Sequence, residues 1–275
     1  MRLILLSCLT MVAFAANSIL NRLALAEGAA GPASFAAIRL VVGAGVLAVL
    51  ILARGRPDFG RIVQPGWGMA SLLAYMLGFS FAYTQLDAGI GALILFGGVQ
   101  ITMFAGAVLT REAIPVMRWA GAGVAFSGLV VLLWPGAETS LPLFGAAMMA
   151  IAAVGWGIYS LLGRRQSDPL LSTASAFVLA APIGLLALLI LPDSISWWGV
   201  LLAAISGGVT SALGYALWYS ILPALGAARG AVLQLSVPAI ATAGGVLFLN
   251  EGVGLRFLIA SALVLGGVAL SMRRA

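Results

Sequence analysis

Long apolar runs alternate with short polar breaks along almost the whole chain. A helix needs roughly 20 apolar residues, at about 1.5 Å rise each, to cross a bilayer core of about 30 Å. Most of the runs come close to that length, and the breaks between them hold Gly, Pro and charge. Ten runs are predicted to be transmembrane helices: Leu3–Leu25, Ser34–Ala53, Gly66–Leu86, Gly89–Leu109, Trp119–Trp134, Leu143–Leu162, Ser172–Leu191, Trp197–Ser220, Gly230–Leu249 and Phe257–Met272. The pattern therefore predicts an all-α integral membrane protein with ten transmembrane helices.

The composition agrees with a lipid environment. Charged residues make up 8% of the 275-residue chain, whereas a soluble domain carries roughly 25%. Hydrophobic residues make up 63%, and the mean hydropathy is +1.14. A soluble fold of this size could not remove so much apolar side chain from water. The bilayer is the expected partner, and no nucleic acid is expected, because the arginines fall in alternate loops and form no basic patch.

The distribution of arginines predicts the orientation in the membrane. With a cytoplasmic N-terminus, the inside segments contain Arg2, Arg54, Arg56, Arg61, Arg111, Arg118, Arg164, Arg165, Arg229, Arg273 and Arg274. The outside loops contain Arg256, and Arg22 lies near the outer end of the first helix. Positive-inside counting then places both termini in the cytoplasm, and the inner membrane of a bacterium is the expected location. A signal-peptide interpretation of Ala13-Phe14-Ala15 is disfavoured because the apolar run continues to Leu25.

The chain also carries the marks of an internal duplication. Glu112 and Glu251 each lie between two apolar runs, 139 residues apart, and several Gly and Ala positions match at the same offset. We expect two five-helix units, 1–137 and 138–275. Because five is odd, the second unit is inverted in the membrane, as in many secondary transporters with a midplane substrate site. Each glutamate is expected to cap the positive end of the helix that follows it, with ion coupling as the alternative.

Three further marks carry a family resemblance. The units end in helices reading GAGVAFSGLVVL (121–132) and ASALVLGGVAL (260–270), Arg39 lies in AAIRLVVGAG, and Pro238 lies in QLSVPAIATAGG. In this order the marks resemble the drug/metabolite transporter superfamily, with two EamA domains covering essentially the whole chain. Within this superfamily, the length of the chain and the aromatic residues of predicted helices 3, 6 and 8 most resemble those of YddG-type amino-acid exporters. The resemblance implies alternating-access export of small amphiphilic metabolites, with aromatic or other apolar amino acids as the leading substrates.

Inward-facing stripes supply the candidate binding residues. Predicted helix 3 repeats an aromatic residue every fourth position, and predicted helix 1 carries a mostly polar stripe that should avoid lipid. Aromatic faces can hold an ammonium group and amides can bind a carboxylate, although both residue types also serve helix packing. The candidates are Asn17, Tyr75, Phe79, Tyr83, Phe96, Gln100, Trp156, Tyr159, Tyr215, Trp218 and Gln234.

Charge and helix breakers add further candidates. Arg39 lies about two turns below the outer end of predicted helix 2. It could hold a substrate carboxylate, bond the carbonyls of a broken neighbouring helix, or pair with Asp87. Pro238 interrupts the backbone hydrogen bonds of predicted helix 9, and Gly97-Gly98 occupy nearly the matching place in helix 4, so these positions are predicted to be hinges. The glycines of helices 5 and 10 are expected to allow close helix packing.

The inventory of reactive side chains disfavours an enzyme. The chain has no His and one Cys, and its carboxylates lie mostly in loops, so neither a metal site nor a nucleophilic triad is expected. We expect no cofactor, a small-molecule substrate, and a monomer or homodimer. Export of drugs or other metabolites, such as cationic toxicants or nucleotide-related solutes, is the alternative, and a membrane scaffold or receptor is another. Without a carboxylate inside a span, a facilitator is expected in place of a proton-coupled carrier.

Overall fold

The computed structural model describes residues 1–55, 58, 60, 64–111, 114–134, 142–164, 166–234 and 236–271. Those residues form helices and connecting turns, with a single isolated β-bridge between Ala30 and Ile195. The helices are α1 (Arg2–Ala26), α2 (Pro32–Ala53), α3 (Pro65–Ala82), α4 (Ala88–Leu109), α5 (Val116–Leu133), α6 (Leu143–Gly163), α7 (Pro169–Ile190), α8 (Trp197–Ile205), α9 (Gly214–Gln234), α10 (Ser236–Leu249) and α11 (Leu255–Ser271). A π-helical segment, Ser206–Leu213, joins α8 to α9. The expected all-α class is confirmed.

Seven segments of the described chain are long and apolar enough to cross a membrane: α1, α2, α4, α5, α6, α7 and Trp197–Leu222. Two further apolar helices are shorter, with 14 residues in α10 and 17 in α11. At about 1.5 Å per residue, α10 spans only about 21 Å. The remaining helix, α3, has 18 residues. Its buried face carries the polar residues Ser71, Tyr75 and Ser80.

The predicted boundary between the eighth and ninth helices is wrong. The sequence pattern ends one helix at Ser220 and starts the next at Gly230, whereas α9 runs through this region to Gln234. The stretch LGAARG (225–230) suggested a loop because of its glycines, yet Leu, Ala and Arg are strong helix formers. Pro238 lies in α10, two positions after Ser236. Residue 235 lies outside the described residues, so the predicted interruption of a helix interior by Pro238 stays a prediction.

Helix packing is closest between α5 and α11. A Cβ atom on Gly121 would meet the carbonyl oxygen of Gly267, and a Cβ on Gly128 would lie 2.9 Å from the backbone nitrogen of Val264. These contacts confirm the predicted role of the glycines at three positions. Gly123 and Gly266 instead face open space. Elsewhere α6 packs against α3 and α4, α7 against α2, and α10 against α1 and α4.

Polar contacts join helix ends at one face of the bundle, which we call the Glu251 face. The ends of seven helices meet there, those of α1, α3, α4, α5, α6, α10 and α11, together with the connections that precede α2 and α8. The bonds are Arg22 Nε to Glu251 Oε1 (3.1 Å), Gly31 N–H to the Ser194 carbonyl (2.8 Å), Gly145 N–H to Gln85 Oε1 (2.9 Å) and Arg256 Nε to the Val131 carbonyl (2.7 Å). The start of α1 and the end of α11 therefore both lie toward the opposite face.

Candidate functional site

Five helices enclose a small cavity in the middle of the bundle. Its volume of about 20 Å³ leaves room for little more than one water molecule. The lining side chains come from α1, α3, α4, α6 and α9: Phe14, Asn17, Ser18, Tyr75, Phe79, Leu95, Phe96, Trp156 and Tyr215. At this volume the cavity cannot hold a metabolite, so the helices that line it must move apart before a solute can bind.

Aromatic rings from separate helices form the wall of this cavity. The ring centres of Tyr75 on α3 and Trp156 on α6 are 4.9 Å apart, and those of Trp156 and Tyr215 on α9 are 5.2 Å apart. Phe79 extends the row on α3, with its ring centre 5.3 Å from that of Tyr75. These distances fall in the range of favourable aromatic pairs. The sequence prediction named these four residues, and the fold brings them together.

Asn17 supplies the polar part of the cavity. Its Oδ1 atom accepts hydrogen bonds from the hydroxyls of Ser206 (2.8 Å), Thr210 (2.6 Å) and Ser211 (3.3 Å). All three hydroxyls belong to the π-helical segment, whose wider turns present them on one side. Single π-helical turns inside α-helices are frequent at functional sites. The polar stripe of α1 faces the bundle interior, as the sequence predicted, with Asn17 and Asn21 both buried.

Arg39 lies fully buried beside the aromatic wall. Its Nε donates to the Ser211 hydroxyl at 3.0 Å, and its Nη2 donates to the Tyr75 hydroxyl at 3.0 Å. The guanidinium carbon is 5.4 Å from the ring centre of Tyr75 and 5.1 Å from that of Phe79. The predicted alternative of pairing with Asp87 is wrong, since Asp87 pairs with Arg22 at 3.2 Å.

The backbone of α2 also meets the π-helical segment at this point. A Cβ on Gly207 would meet the carbonyl oxygen of Arg39. Glycine at 207 therefore allows the two helices to touch, and this close approach lets the Ser211 hydroxyl reach the guanidinium.

A second polar cluster lies on the Glu251 face. Arg22 bonds Glu251 at 3.1 Å and Asp87 at 3.2 Å. The Glu251 carboxylate also accepts the N–H of Ala88, at 3.1 Å to Oε1 and 2.9 Å to Oε2. Burial raises the pKa of the Glu251 carboxyl above its ordinary value, and Asp87 raises it further, while the Ala88 N–H and Arg22 act in the opposite direction. One carboxylate thus connects α1, the start of α4 and the α10–α11 connection.

The predicted capping role of Glu251 is corrected by these contacts. The carboxylate caps α4, whereas the sequence suggested the helix that follows it. The next helix begins only at Leu255, and Asn250 adopts a left-handed conformation with φ of 53°. This turn directs the glutamate toward a helix of the other half of the chain. Glu112, its counterpart in the duplication, lies outside the described residues.

Other predicted site residues lie behind the cavity wall. Tyr83 packs against Phe79 with ring centres 4.7 Å apart, and Tyr159 stacks on Trp156 at 5.5 Å. Trp218 contacts a lining residue, with its ring centre 5.8 Å from that of Phe14. These three aromatics support the lining and do not form part of it.

The remaining predicted residues lie apart from the cavity lining. Gln100 and Gln234 are half-buried, and neither lines the cavity. A Cβ on Gly97 would lie 3.1 Å from Leu129, and a Cβ on Gly98 would lie 2.7 Å from Ala153. The two glycines therefore allow α4 to pack closely against its neighbours, and their predicted role as hinges stays a prediction, as does that of Pro238.

Sequence reasoning missed the hydroxyl cluster on the π-helical segment and the role of Arg22. The sequence SGGVTS (206–211) did contain a signal, because Ser206 and Thr210 are four residues apart and fall on one helical face. Phe14 belongs to the polar stripe of α1 but was not among the predicted binding residues, and neither were Ser18 and Leu95.

The apolar helices and the enclosed central site define the class as an integral membrane protein of helical-bundle type. Within the described residues no group of three or more His, Cys, Asp and Glu could hold a metal ion. One solved crystal structure matches this fold with a TM-score of 0.65 and 23% sequence identity. The match covers 96% of this chain and 98% of the chain in that structure, and it concerns the fold alone.

Comparison of sequences identifies the family. Residues 143–273 match the EamA-like transporter family. An uncharacterized protein of Pseudomonas aeruginosa is 44% identical over 272 residues, which are 98% of this chain and 94% of that protein. An uncharacterized transporter of Archaeoglobus fulgidus is 31% identical over 140 residues, covering 48% of this chain and 50% of that protein. Residues 143–273 therefore carry an EamA-like transporter domain, and the protein is a membrane transporter.

Proposed function

We propose that this transporter exports small amphiphilic metabolites, first among them aromatic or other apolar amino acids, by alternating access around the central cavity. The observation that carries the proposal is the composition of the cavity wall. Neighbouring aromatic rings lie beside the Asn17 amide, so the apolar side chain of a solute can contact the rings while its polar groups bond the amide. The similarity to YddG-type amino-acid exporters supports both the substrate class and the outward direction.

The closed state of the cavity supports alternating access. A cavity of about 20 Å³ cannot hold an amino acid, since ligand sites for small molecules have several hundred Å³. The lining helices must therefore separate, and a carrier does so toward one side at a time. On the Glu251 face, a second pocket of about 270 Å³ is lined in part by Asp87, Ile90 and Phe257. We propose this pocket as the outer vestibule of the route.

Helix contacts support two inverted five-helix repeats, 1–137 and 138–275, with α8 and α9 counted as one span. In this division α1 is equivalent to α6, α2 to α7, α3 to α8 with α9, α4 to α10 and α5 to α11. The contact of α3 with α6 is then equivalent to the contacts of α1 with α8 and α9, and the contact of α4 with α6 is equivalent to that of α1 with α10. Three further contacts each join two equivalent helices: α2 with α7, α4 with α10, and α5 with α11. The first repeat begins away from the Glu251 face and the second begins at it, which is the relation expected of an inverted repeat.

The arginine distribution supports cytoplasmic termini, with the Glu251 face outside. The similarity to a Pseudomonas protein supports the bacterial inner membrane as the location. In this arrangement Gly97, Gly98 and Pro238 are proposed as pivots on α4 and α10, two helices that contact each other and occupy equivalent positions in the two repeats.

Efflux from cells or vesicles loaded with a panel of solutes tests the proposal. The panel contains phenylalanine, leucine, a hydrophilic amino acid and a lipophilic cation. We expect saturable efflux of the first two and strong reduction in Trp156→Ala, because this ring contacts both Tyr75 and Tyr215. Trp119→Ala is the matched control, since Trp119 is half-exposed and packs on Phe104 outside the cavity.

Two results would contradict the proposed function. If only the lipophilic cation leaves, the protein exports cationic toxicants and the amino-acid assignment fails. If no solute leaves faster than from vesicles without protein, the export function itself is wrong.

A further inference from the structure

Arg39 holds a permanent positive charge in the bundle interior, and no carboxylate among the described residues pairs with it. Arginine stays protonated in proteins, and a charge at membrane depth is costly unless it is paired. Both ion pairs within the described part of the chain belong to Arg22, on the Glu251 face. The charge of Arg39 is therefore not compensated by any described residue.

The guanidinium of Arg39 also has one nitrogen without a hydrogen-bond partner among the described residues. Its two partners, the hydroxyls of Ser211 and Tyr75, are neutral. Its Nη1 atom is buried and has no hydrogen-bond partner among the described residues. The hydroxyl of Tyr215, a residue of the cavity wall, is buried without a partner as well. Arg39 does not line the cavity itself but is hydrogen-bonded to Tyr75, which does. Buried polar atoms are nearly always paired, so one unpaired atom in the cavity wall and one on the arginine behind it indicate a place for a missing polar ligand.

We propose that Arg39 binds the carboxylate of the transported solute. The inference rests on the proposed function and narrows it to monocarboxylates with an apolar or aromatic side chain. A carboxylate offers two acceptors in the spacing of the guanidinium fork and neutralises its charge. Nη1 is free to donate, and Nη2 becomes free when the Tyr75 hydroxyl moves. The solute's side chain then lies against Tyr75 and Phe79, whose rings already flank the guanidinium.

A purely structural role makes a different prediction. As a brace, Arg39 would hold α3 and the π-helical segment to α2 through its two hydroxyl partners, and an anion would gain nothing from it. As a carboxylate site, it distinguishes solutes that share a side chain and differ in the anionic group. It also repels solutes that carry only a positive charge.

Binding to the purified protein in lipid nanodiscs tests the inference with three probes of one shape: phenylalanine, phenylalanine amide and 3-phenylpropionate. The wild type is expected to bind the two carboxylates at least about tenfold more tightly than the amide, the effect of a hydrogen-bonded charge. Arg39→Gln should reduce this preference to less than about threefold and strengthen binding of the amide, because the repulsion is gone. Arg39→Lys should keep part of the preference. Arg54→Gln, which replaces an exposed arginine at the end of the same helix, is the matched control and should leave the preference unchanged.

The outcomes separate this inference from the proposed function. Equal binding of phenylalanine and its amide by the wild type overturns the carboxylate site, even if the Arg39 variants fail to fold, while export of both would leave the proposed function intact. Equal losses for all three probes in Arg39→Gln and Arg39→Lys mean a brace only and also overturn it. Absence of binding for every probe overturns both proposals. Competition by chloride alone, without carboxylate preference, assigns the site to an inorganic anion and rejects the solute carboxylate.

Discussion

Replacing Glu251 tests the cluster that joins the two halves of the chain. Glu251→Ala removes the acceptor of the Ala88 N–H at the start of α4, and loss of a helix cap costs about 1 kcal/mol. It also removes one of three partners of Arg22, which keeps Asp87 and the Tyr83 carbonyl, at 3.2 Å each. Because the Arg22 side chain is 18% exposed, we assign this loss about 1 kcal/mol. The sum is about 2 kcal/mol, or a fall in Tm of about 4–8 °C.

Glu251→Gln should behave differently because burial raises the pKa of this carboxyl. A raised folded pKa means that the fold accommodates the neutral carboxyl better than the charged one. The corresponding stability is present below the ordinary value of 4.5 and is lost as the pH rises through the folded pKa. Glutamine imitates the neutral form and keeps an acceptor for Ala88, so we expect a Tm within about 2 °C of the parental value at pH 7.

Thermal unfolding of the purified protein, followed between pH 4.5 and pH 8, measures both effects. The stability of the wild type relative to Glu251→Gln should rise as the pH falls toward 4.5. Glu27→Gln, an exposed glutamate near the end of α1, is the control and should change nothing. Equal destabilisation by Ala and Gln, or a difference independent of pH, would refute this account of the cluster.

Three further predictions concern the moving parts, the polar site and the energy source. Gly98→Ala should reduce export, because the added Cβ meets Ala153. In the double variant Gly98→Ala/Ala153→Gly the contact is relieved, so the Tm should recover while turnover stays low; full recovery of turnover would exclude a hinge at this position. Asn17→Ala leaves three hydroxyls without their shared acceptor and should cost about 1–3 kcal/mol by unfolding measurements, whereas an unchanged Tm would show that they find other acceptors. In vesicles, an imposed pH gradient should alter the initial export rate little, and accumulation of solute that a protonophore abolishes would reject the facilitator.

The buried faces of the helices were predictable from the sequence for a physical reason. A polar side chain in a membrane helix must avoid lipid, so the stripe through Asn17 and Asn21 had to face inward. The same reasoning brought Tyr75, Trp156 and Tyr215 into one cavity, because each is an amphipathic ring within a long apolar run. Periodicity selects the face of a helix correctly when one side of that helix meets lipid.

Partners across the fold could not be predicted in this way. Glu251 caps a helix that begins 163 residues earlier, while its local sequence suggested only the helix that follows. The contact between Arg39 and Ser211 depends on a π-helical segment and on the close approach of Gly207, neither of which leaves a mark in the hydrophobic pattern. The helical course of α9 through residues 221–230 was missed because glycines at 226 and 230 suggest a loop.

Solute counterflow in reconstituted vesicles tests most directly whether this protein is a carrier built around the central cavity. Vesicles preloaded with unlabelled phenylalanine are diluted into a trace of labelled phenylalanine, and the label inside is followed over time. Alternating access predicts a transient accumulation of label above equilibrium that saturates with substrate, disappears in Trp156→Ala and persists in Trp119→Ala. The absence of this overshoot with a channel-like linear flux, or an overshoot unchanged in Trp156→Ala, would contradict the account.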